Sequence, residues 1–397
     1  MKFTLLPPLS LYIHLPWCEK KCPYCDFNSH VPTDFDEKQY IKALIEDLQQ
    51  DLPLIWGRPI TSIFIGGGTP SLFSGAVIQQ LLSDLRACLN LSPAIEITME
   101  ANPGSADEAN FKEYRQAGIN RLSIGVQSFN NESLLQIGRI HNPEQALSAV
   151  AKARQAGFEN INLDIMYGLP GQDLAQCLSD ISQAIELKPQ HISLYQLTIE
   201  PNTQFHTQTP QNIPNDDLCW DMQQQAQQLL SESGFAQYEI SAYAQPAKQS
   251  QHNLNYWQFG DYIGIGAGAH GKITLPSEQR IIRRTRIRQP QNYLTNIHNC
   301  VSQQRELNEE DAVFEFMLNA LRLTQGFNNE LFSEHAGLPF SVLENPLRLA
   351  EEKGLLSITD SSIKPTALGL QFHNDLQSLF LNVKLPDKNQ VEPEIRF

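Results

Sequence analysis

No apolar run in this 397-residue sequence approaches the roughly 18–20 residues that a membrane-crossing helix needs. The opening segment, MKFTLLPPLS, offers one lysine and two prolines, with no long apolar stretch and no small-residue cleavage site, so no secretory signal is expected. Basic residues are few. There are 29 Lys and Arg against 44 Asp and Glu, a net charge of −15, which argues against nucleic-acid binding because that needs a positive face. The cysteine count, seven, is odd, and Cys88, Cys177, Cys219 and Cys300 stand singly, as small apolar residues do. Such usage suits a reducing, cytoplasmic compartment, where a tight cysteine group means metal rather than disulfide. Hydrophobic residues at 41% and charged ones at 18% suit a globular protein with one large domain and a smaller one.

Short β-branched runs recur with helical stretches between them. LSLYIHL (9–15), TSIFIGG (61–67), EITMEAN (96–102), NRLSIGVQS (120–128), NINLDIMYG (160–168) and QHISLYQLTI (190–199) read as strands, and DYIGIGAG (261–268) as a seventh. The segment 36–52 places Ile41, Leu44, Ile45 and Leu48 on one helical face. Ser105 with Glu108 suggests a capping box, and Asn142, Pro143 and Gln145 open another helix that Gly157 closes. Strands alternating with helices imply parallel units and a partial (β/α) barrel, whose chemistry sits at the C-terminal strand ends. The unusual residues fall there: cysteines after the first strand, GGGTPS after the second, then Glu100, Gln127 and Asp164.

Cys18, Cys22 and Cys25 form C-x3-C-x2-C, followed by Asp26 and Phe27. A structural zinc ion would need a fourth ligand, for which His14 or His30 is available. An iron–sulfur cube held by three thiolates leaves one iron open to a small chelating molecule. Spacing alone leaves both open. The segment Gly66-Gly67-Gly68-Thr69-Pro70 is either a simple turn or a place where backbone without Cβ meets a ligand.

Together these motifs resemble the radical S-adenosylmethionine (SAM) superfamily. The resemblance implies a [4Fe–4S] cluster on Cys18, Cys22 and Cys25, whose open iron takes SAM's amino and carboxylate groups. It implies Tyr12 and Tyr24 as aromatic neighbours and Gly67, Gly68, Thr69 and Pro70 as the segment that receives SAM's amino group. It also implies Glu100, Gln127, Arg139 and Asp164 as further SAM contacts. Residues 11–270 are similar to the branch containing oxygen-independent coproporphyrinogen III dehydrogenase, through YIHLPWC, GGGTPSLF, SIGVQSF, DIMYGLPGQ and LYQLTIEP. That branch also holds haem chaperones of the HemW type, which deliver haem to respiratory haemoproteins.

Three features separate the two. The dehydrogenase motif continues to a fourth cysteine where this chain has Phe27, and its first strand is preceded by a longer segment than the ten or so residues present here. HNLNYW at 252–257 matches the HNxxYW motif of the chaperones, which implies haem binding through His252, Asn253, Tyr256 and Trp257, with His252 as an axial ligand. A haem chaperone is therefore expected, with the dehydrogenase as the alternative. The resemblance further implies a homodimer and contact with the inner face of a membrane.

RIIRRTRIR (280–288) holds five arginines in nine residues and reads either as a solvated hairpin or as a patch for propionates or acidic surfaces. His270, closing GIGAGAHG, is a further candidate neighbour of the cofactors. The expected layout is a core over 1–270, a basic hairpin and connection over 271–305, a winged-helix-like α+β domain over 306–385 and a disordered tail over 386–397.

Overall fold

The computed structural model describes residues 1–32, 35–381 and 383; the tail at 386–397 lies outside them. Six parallel strands occupy the expected runs: β1 (Leu9–Leu15), β2 (Pro59–Gly67), β3 (Asn90–Ala101), β4 (Arg121–Gln127), β5 (Ile161–Tyr167) and β6 (His191–Gln196). Short strands β7 (Ala236–Glu239) and β8 (Ala242–Ala244) then turn back antiparallel beside β6. The chain returns to the opposite flank, where β9 (Asp261–Ile265) pairs in parallel with β1. Beyond it, β10 (His270–Leu275), β11 (Arg280–Arg286) and β12 (Val301–Glu306) continue antiparallel. The order β12-β11-β10-β9-β1-β2-β3-β4-β5-β6-β8-β7 is open, a partial barrel.

Alternation along the strands sorts side chains. Leu9, Leu11, Ile13 and Leu15 join the apolar core, with Ile63, Ile65, Ile124 and Leu163. The alternate positions carry polar groups that bond to one another: Ser10 Oγ to Ser62 Oγ at 2.8 Å, and Ser123 Oγ to Asp164 Oδ2 at 2.9 Å. The strand face away from the apolar core is thus polar, which is where a polar cofactor needs it.

Local signals set the helix starts. Asp36 accepts from the amides of Lys38 and Gln39 and caps Glu37–Asp51, which buries Ile41, Leu44 and Leu48 and half-buries Ile45. Asn142 and Gln145 form the expected capping box, with Pro143 in the first turn and Gly157 at φ 90° just past the end. The box expected at Ser105 is not formed. Asp107 caps Glu108–Ala117 instead, and Ser105 ends a short 3-10 turn with its hydroxyl on Ser71 and Asn102.

Three helices, Glu309–Ala320, Asn329–Ala336 and Glu344–Glu352, precede the hairpin β13 (Leu356–Ile358) and β14 (Ile363–Pro365), the winged-helix-like arrangement. Short helices follow at Ala367–Gln371 and His373–Ser378. This unit has its own core, centred on Phe316 with Phe332 at 5.0 Å and Phe327 at 5.2 Å. Phe3 and Phe259 enter the same core, so both the chain's start and the barrel's underside grip it.

The arginine-rich strand is not a free basic patch. Arg286 is 1% exposed and bonds Asp47 and Asp51; Arg284 also meets Asp51, Arg283 meets Glu315, and Arg280 meets Glu278 and Glu306. These cations serve as internal counter-charges between β11 and the elements around it.

Candidate functional site

The C-terminal ends of β1 to β6 enclose a cavity of about 370 Å³. Cys18, Cys22, Cys25 and Tyr24 line one side of it. Gly67, Gly68, Thr69 and Pro70 line it from β2, and Glu100, Gln127, Arg139 and Asp164 complete the expected set. Tyr12 does not line it. Its ring stacks on Phe64 at 6.3 Å, and its hydroxyl donates to His14 Nδ1 at 2.9 Å.

The cysteine loop is closed at its base, where the Cys18 amide donates to His30 O at 2.9 Å and the His30 amide to Pro16 O at 2.7 Å. Within it the Cys25 amide donates to Cys22 O at 3.1 Å, turning the chain, and all three cysteines line the cavity. Burial pushes the Cys18 and Cys25 thiols up, and the neighbouring sulfurs add to it. A metal cation would reverse that, since a coordinated thiol is deprotonated. Arg139 supplies fixed positive charge, with Nη1 at 3.6 Å from Cys22 Sγ and Nη2 donating to Gly125 O at 2.8 Å.

Neither histidine considered for a tetrahedral zinc ion is free. His14 bonds Tyr12 through Nδ1 and Asn28 O through Nε2 at 2.8 Å, while His30 Nε2 lies 3.2 Å from Asn28 Oδ1. The donor set is therefore three thiols from one loop beside an open cavity. That fits a group that brings its own fourth ligand, and it fits zinc poorly.

At the glycine segment the amides of Gly67, Gly68 and Thr69 are spent. Gly67 N–H donates to Glu100 Oε2 at 3.1 Å, Gly68 N–H to Leu15 O at 2.7 Å and Thr69 N–H to Trp17 O at 2.7 Å. What remains for a ligand is carbonyl oxygen, which suits an ammonium donor. A Cβ on Gly68 would lie 2.4 Å from Trp17 O, and Gly67 has φ 118°, so neither position tolerates a side chain. Glycine here lets β2 cross the start of the cysteine loop.

Opposite stand the acids. Burial, with Asp164 nearby, raises the Glu100 carboxyl to about 8, although the Gly67 amide opposes this. Burial also raises Asp164, against bonds from Asn162 and Ser123 at 2.8 and 2.9 Å. Gln127 adopts φ 69°, beside a register irregularity between β4 and β5, an outlier of the kind found where a side chain is re-aimed at a site. Tyr195, Met166 and Leu197 also line the cavity and were missed. Tyr195 and Met166 sit in the same inward-facing rows as Ser193 and Asp164, so the alternation of β5 and β6 was the available signal.

HNLNYW lies elsewhere. It forms the helix Gln251–Trp257, against β2 and β3, where Glu96 Oε1 accepts the amides of Gln251 and His252 at 3.0 and 3.3 Å. His252 is 1% exposed, with Nδ1 on Ser62 Oγ at 3.0 Å and Nε2 on Tyr256 OH at 3.0 Å. Burial, with Arg121 near, lowers its pKa to about 3, so it is a neutral imidazole with both nitrogens occupied. The expected axial role is not presented by this geometry. Asn253 donates its amide to Ser250 Oγ at 3.3 Å. Tyr256 and Trp257, with Tyr262, Lys272 and Arg283, line a second cavity of about 230 Å³ against Asn319 of the C-terminal unit. His270 is exposed, bonded to Thr285 Oγ1 at 3.2 Å, and lines neither cavity.

Comparison with known proteins agrees with this architecture. Residues 12–182 match the radical SAM superfamily and residues 307–372 the HemN C-terminal domain. The haem chaperone HemW of Escherichia coli (strain K12) is 48% identical over 377 residues, spanning 95% of this chain and 99% of that protein. Its counterparts in Haemophilus influenzae and Bacillus subtilis are 47% and 33% identical, over 95% and 94% of this chain and 98% and 99% of theirs. The structure of coproporphyrinogen III oxidase (HemN) from Escherichia coli superposes with a TM-score of 0.80 at 23% identity, covering 95% of this chain and 91% of that one, a likeness of fold. With the three-cysteine loop, the strand-end cavity and near full-length identity of up to 48% to haem chaperones, the chain belongs to the HemW family of radical SAM proteins.

Proposed function

We propose that this chain is a haem chaperone that carries a SAM-binding [4Fe–4S] cluster and passes haem to respiratory haemoproteins. The observation that carries this is the full-length similarity to haem chaperones, joined to a cysteine loop that ends at Phe27 without a fourth thiol. Phe27 is 59% exposed at the cavity edge. The coproporphyrinogen dehydrogenase alternative has the fold and the HemN C-terminal domain in its favour, but no relative of comparable identity among those compared above.

In this reading Cys18, Cys22 and Cys25 hold the cluster. Carbonyls of the glycine segment, Glu100, Gln127 and Asp164 hold the polar groups of SAM, and Arg139 pairs with its carboxylate. Held by these residues, the cluster would place one-electron reducing chemistry beside SAM. Glu100 reports the binding. Its carboxyl, at about 8, is mostly protonated at pH 7 in the free chain, and a ligand with a sulfonium charge favours the ionised form. Binding at pH 7 therefore releases about one proton. Titration calorimetry in two buffers of different ionisation enthalpy reads that number; heats that do not depend on the buffer contradict it.

Haem contacts are proposed on the Tyr256–Trp257 face of the motif helix, where the second cavity receives an edge of the macrocycle, while His252 and Asn253 hold the helix in place. Trp257→Ala is expected to weaken haem binding about tenfold, from lost stacking. His252→Gln, which keeps a polar contact to Ser62, retains binding. Soret titrations decide this: loss with the His252 variant alone restores axial ligation.

Contact with the inner face of a membrane belongs to the same proposal. No helix among the described residues is long and apolar enough to cross one. Trp56, 86% exposed, and Leu5 and Leu6, 58% and 47% exposed, lie on segments tied together by the bond from Arg58 to Pro7 O. Such residues suit an interfacial contact. A homodimer completes the proposal, and sedimentation of the loaded chain tests it.

A further inference from the structure

The segment 261–288 has no part in the cavity, yet the two stretches that stood out there, GIGAG and the arginine-rich strand, converge on one residue of the cysteine loop. We infer that Asn28 is a positioning residue that clamps the loop against this flank of the sheet.

Three of its four polar groups are engaged: the side-chain amide nitrogen, the side-chain oxygen and the backbone carbonyl. Nδ2 carries two hydrogens and donates both, to Ala267 O at 2.9 Å after β9 and to Arg288 O at 2.8 Å after β11. The backbone carbonyl accepts from His14 Nε2 at 2.8 Å. Since Nε2 must carry the hydrogen for that bond, Nδ1 accepts from Tyr12 OH, and the tautomer is set by the network. Oδ1 faces His30 Nε2 at 3.2 Å, and His30 in turn closes the loop's base through its backbone.

The receiving surface is shaped for this side chain. Gly268 has φ 83°, and a Cβ there would lie 2.3 Å from Asn28 Nδ2. Tyr40 OH locks the same turn to β1, accepting from Ala267 N–H at 2.9 Å and donating to His14 O at 3.0 Å. The His14 ring also packs against Gly67, where a Cβ would be 2.7 Å from it. One chain of contacts thus runs from the far flank, through Asn28 and His14, to the glycine strand. It fixes the spacing between the thiols and the segment that faces them. The inference rests on the three cysteines being cluster ligands, but the clamp exists in the protein without any cluster.

Two variants approach the clamp from opposite sides. Asn28→Asp replaces both donors with a carboxylate that faces two carbonyl oxygens, and Gly268→Ala pushes a methyl into the Asn28 amide. In the cluster-free chain, amide hydrogen exchange across residues 18–30 is expected to speed up about tenfold or more in both, with exchange in β2 to β5 unchanged. After anaerobic reconstitution, both variants are expected to lose iron to a competing chelator at about tenfold lower chelator concentration. Wild-type exchange rates in the loop overturn the clamp. Faster exchange with wild-type iron retention overturns its link to the cluster. A wild-type chain that takes up no iron would instead count against the cysteine assignment, and the exchange result would still decide the clamp.

Discussion

Cys22→Ala is expected to reduce bound iron and sulfide after reconstitution to near zero, while the chain stays folded. The donor set is three thiols, and the two histidines beside the loop, His14 and His30, each hold Asn28 through Nε2. Arg139, now without its sulfur partner, remains bonded to Gly125 O. The side chain is only half-buried and its backbone bond to Cys25 survives, so the stability change should stay within about 0.5 kcal/mol. Iron analysis beside circular dichroism checks this. Wild-type iron in the variant would mean that the loop does not hold the cluster.

Asp261→Ala is expected to destabilise the chain by about 3–5 kcal/mol, the largest structural effect of any single change considered. Asp261 is fully buried at the start of β9, and it accepts from Arg58 Nη1 at 2.8 Å and Lys272 Nζ at 2.9 Å. Thr274 adds its amide at 2.9 Å and its hydroxyl at 2.8 Å. Removing the carboxylate leaves Lys272, 1% exposed, as a buried cation without its counter-charge. Burial alone would raise the Asp261 carboxyl, but Lys272 and Arg58 outweigh it and hold it below the ordinary carboxylate range. Its stabilisation is therefore present above that ordinary range and is lost as pH falls through the depressed value. Glu100 has the opposite sign: its raised carboxyl favours the folded chain below the ordinary range, and that contribution is lost as pH rises through about 8. Urea unfolding of both chains, from pH 7 down to 3, separates the two. A variant as stable as wild type at pH 7 would contradict the counter-charge role.

The cavity was legible because its residues are of unusual type at strand ends. Three clustered thiols, three successive glycines and isolated acids after β-branched runs are visible without coordinates. Tyr195 and Met166 were not seen, since an aromatic or a methionine in a strand reads as core until one knows which face is polar. The six parallel strands followed from β-branched runs. Strands β7, β8 and β12 did not, because β7 and β8 are four and three residues long and β12 is mostly exposed and polar, so none shows an apolar period. Ser105 failed as a cap because Asp107 competes two residues later with a side chain that accepts from Ala109. The setting of His252 was not legible, because its burial and hydrogen bonds are decided by residues as distant in sequence as Ser62 and Glu96.

The central claim, that this radical SAM scaffold carries haem and does not oxidise a porphyrinogen, is tested most directly on one preparation split in two. The chain is reconstituted anaerobically, then supplied with SAM and a reductant. One half is titrated with haem and followed by its Soret band; the other receives coproporphyrinogen III, and the products are separated by chromatography. A saturable Soret shift with coproporphyrinogen recovered unchanged is the predicted result. Conversion to decarboxylated product would contradict the account and show that decarboxylation proceeds with Phe27 in place of a fourth cysteine.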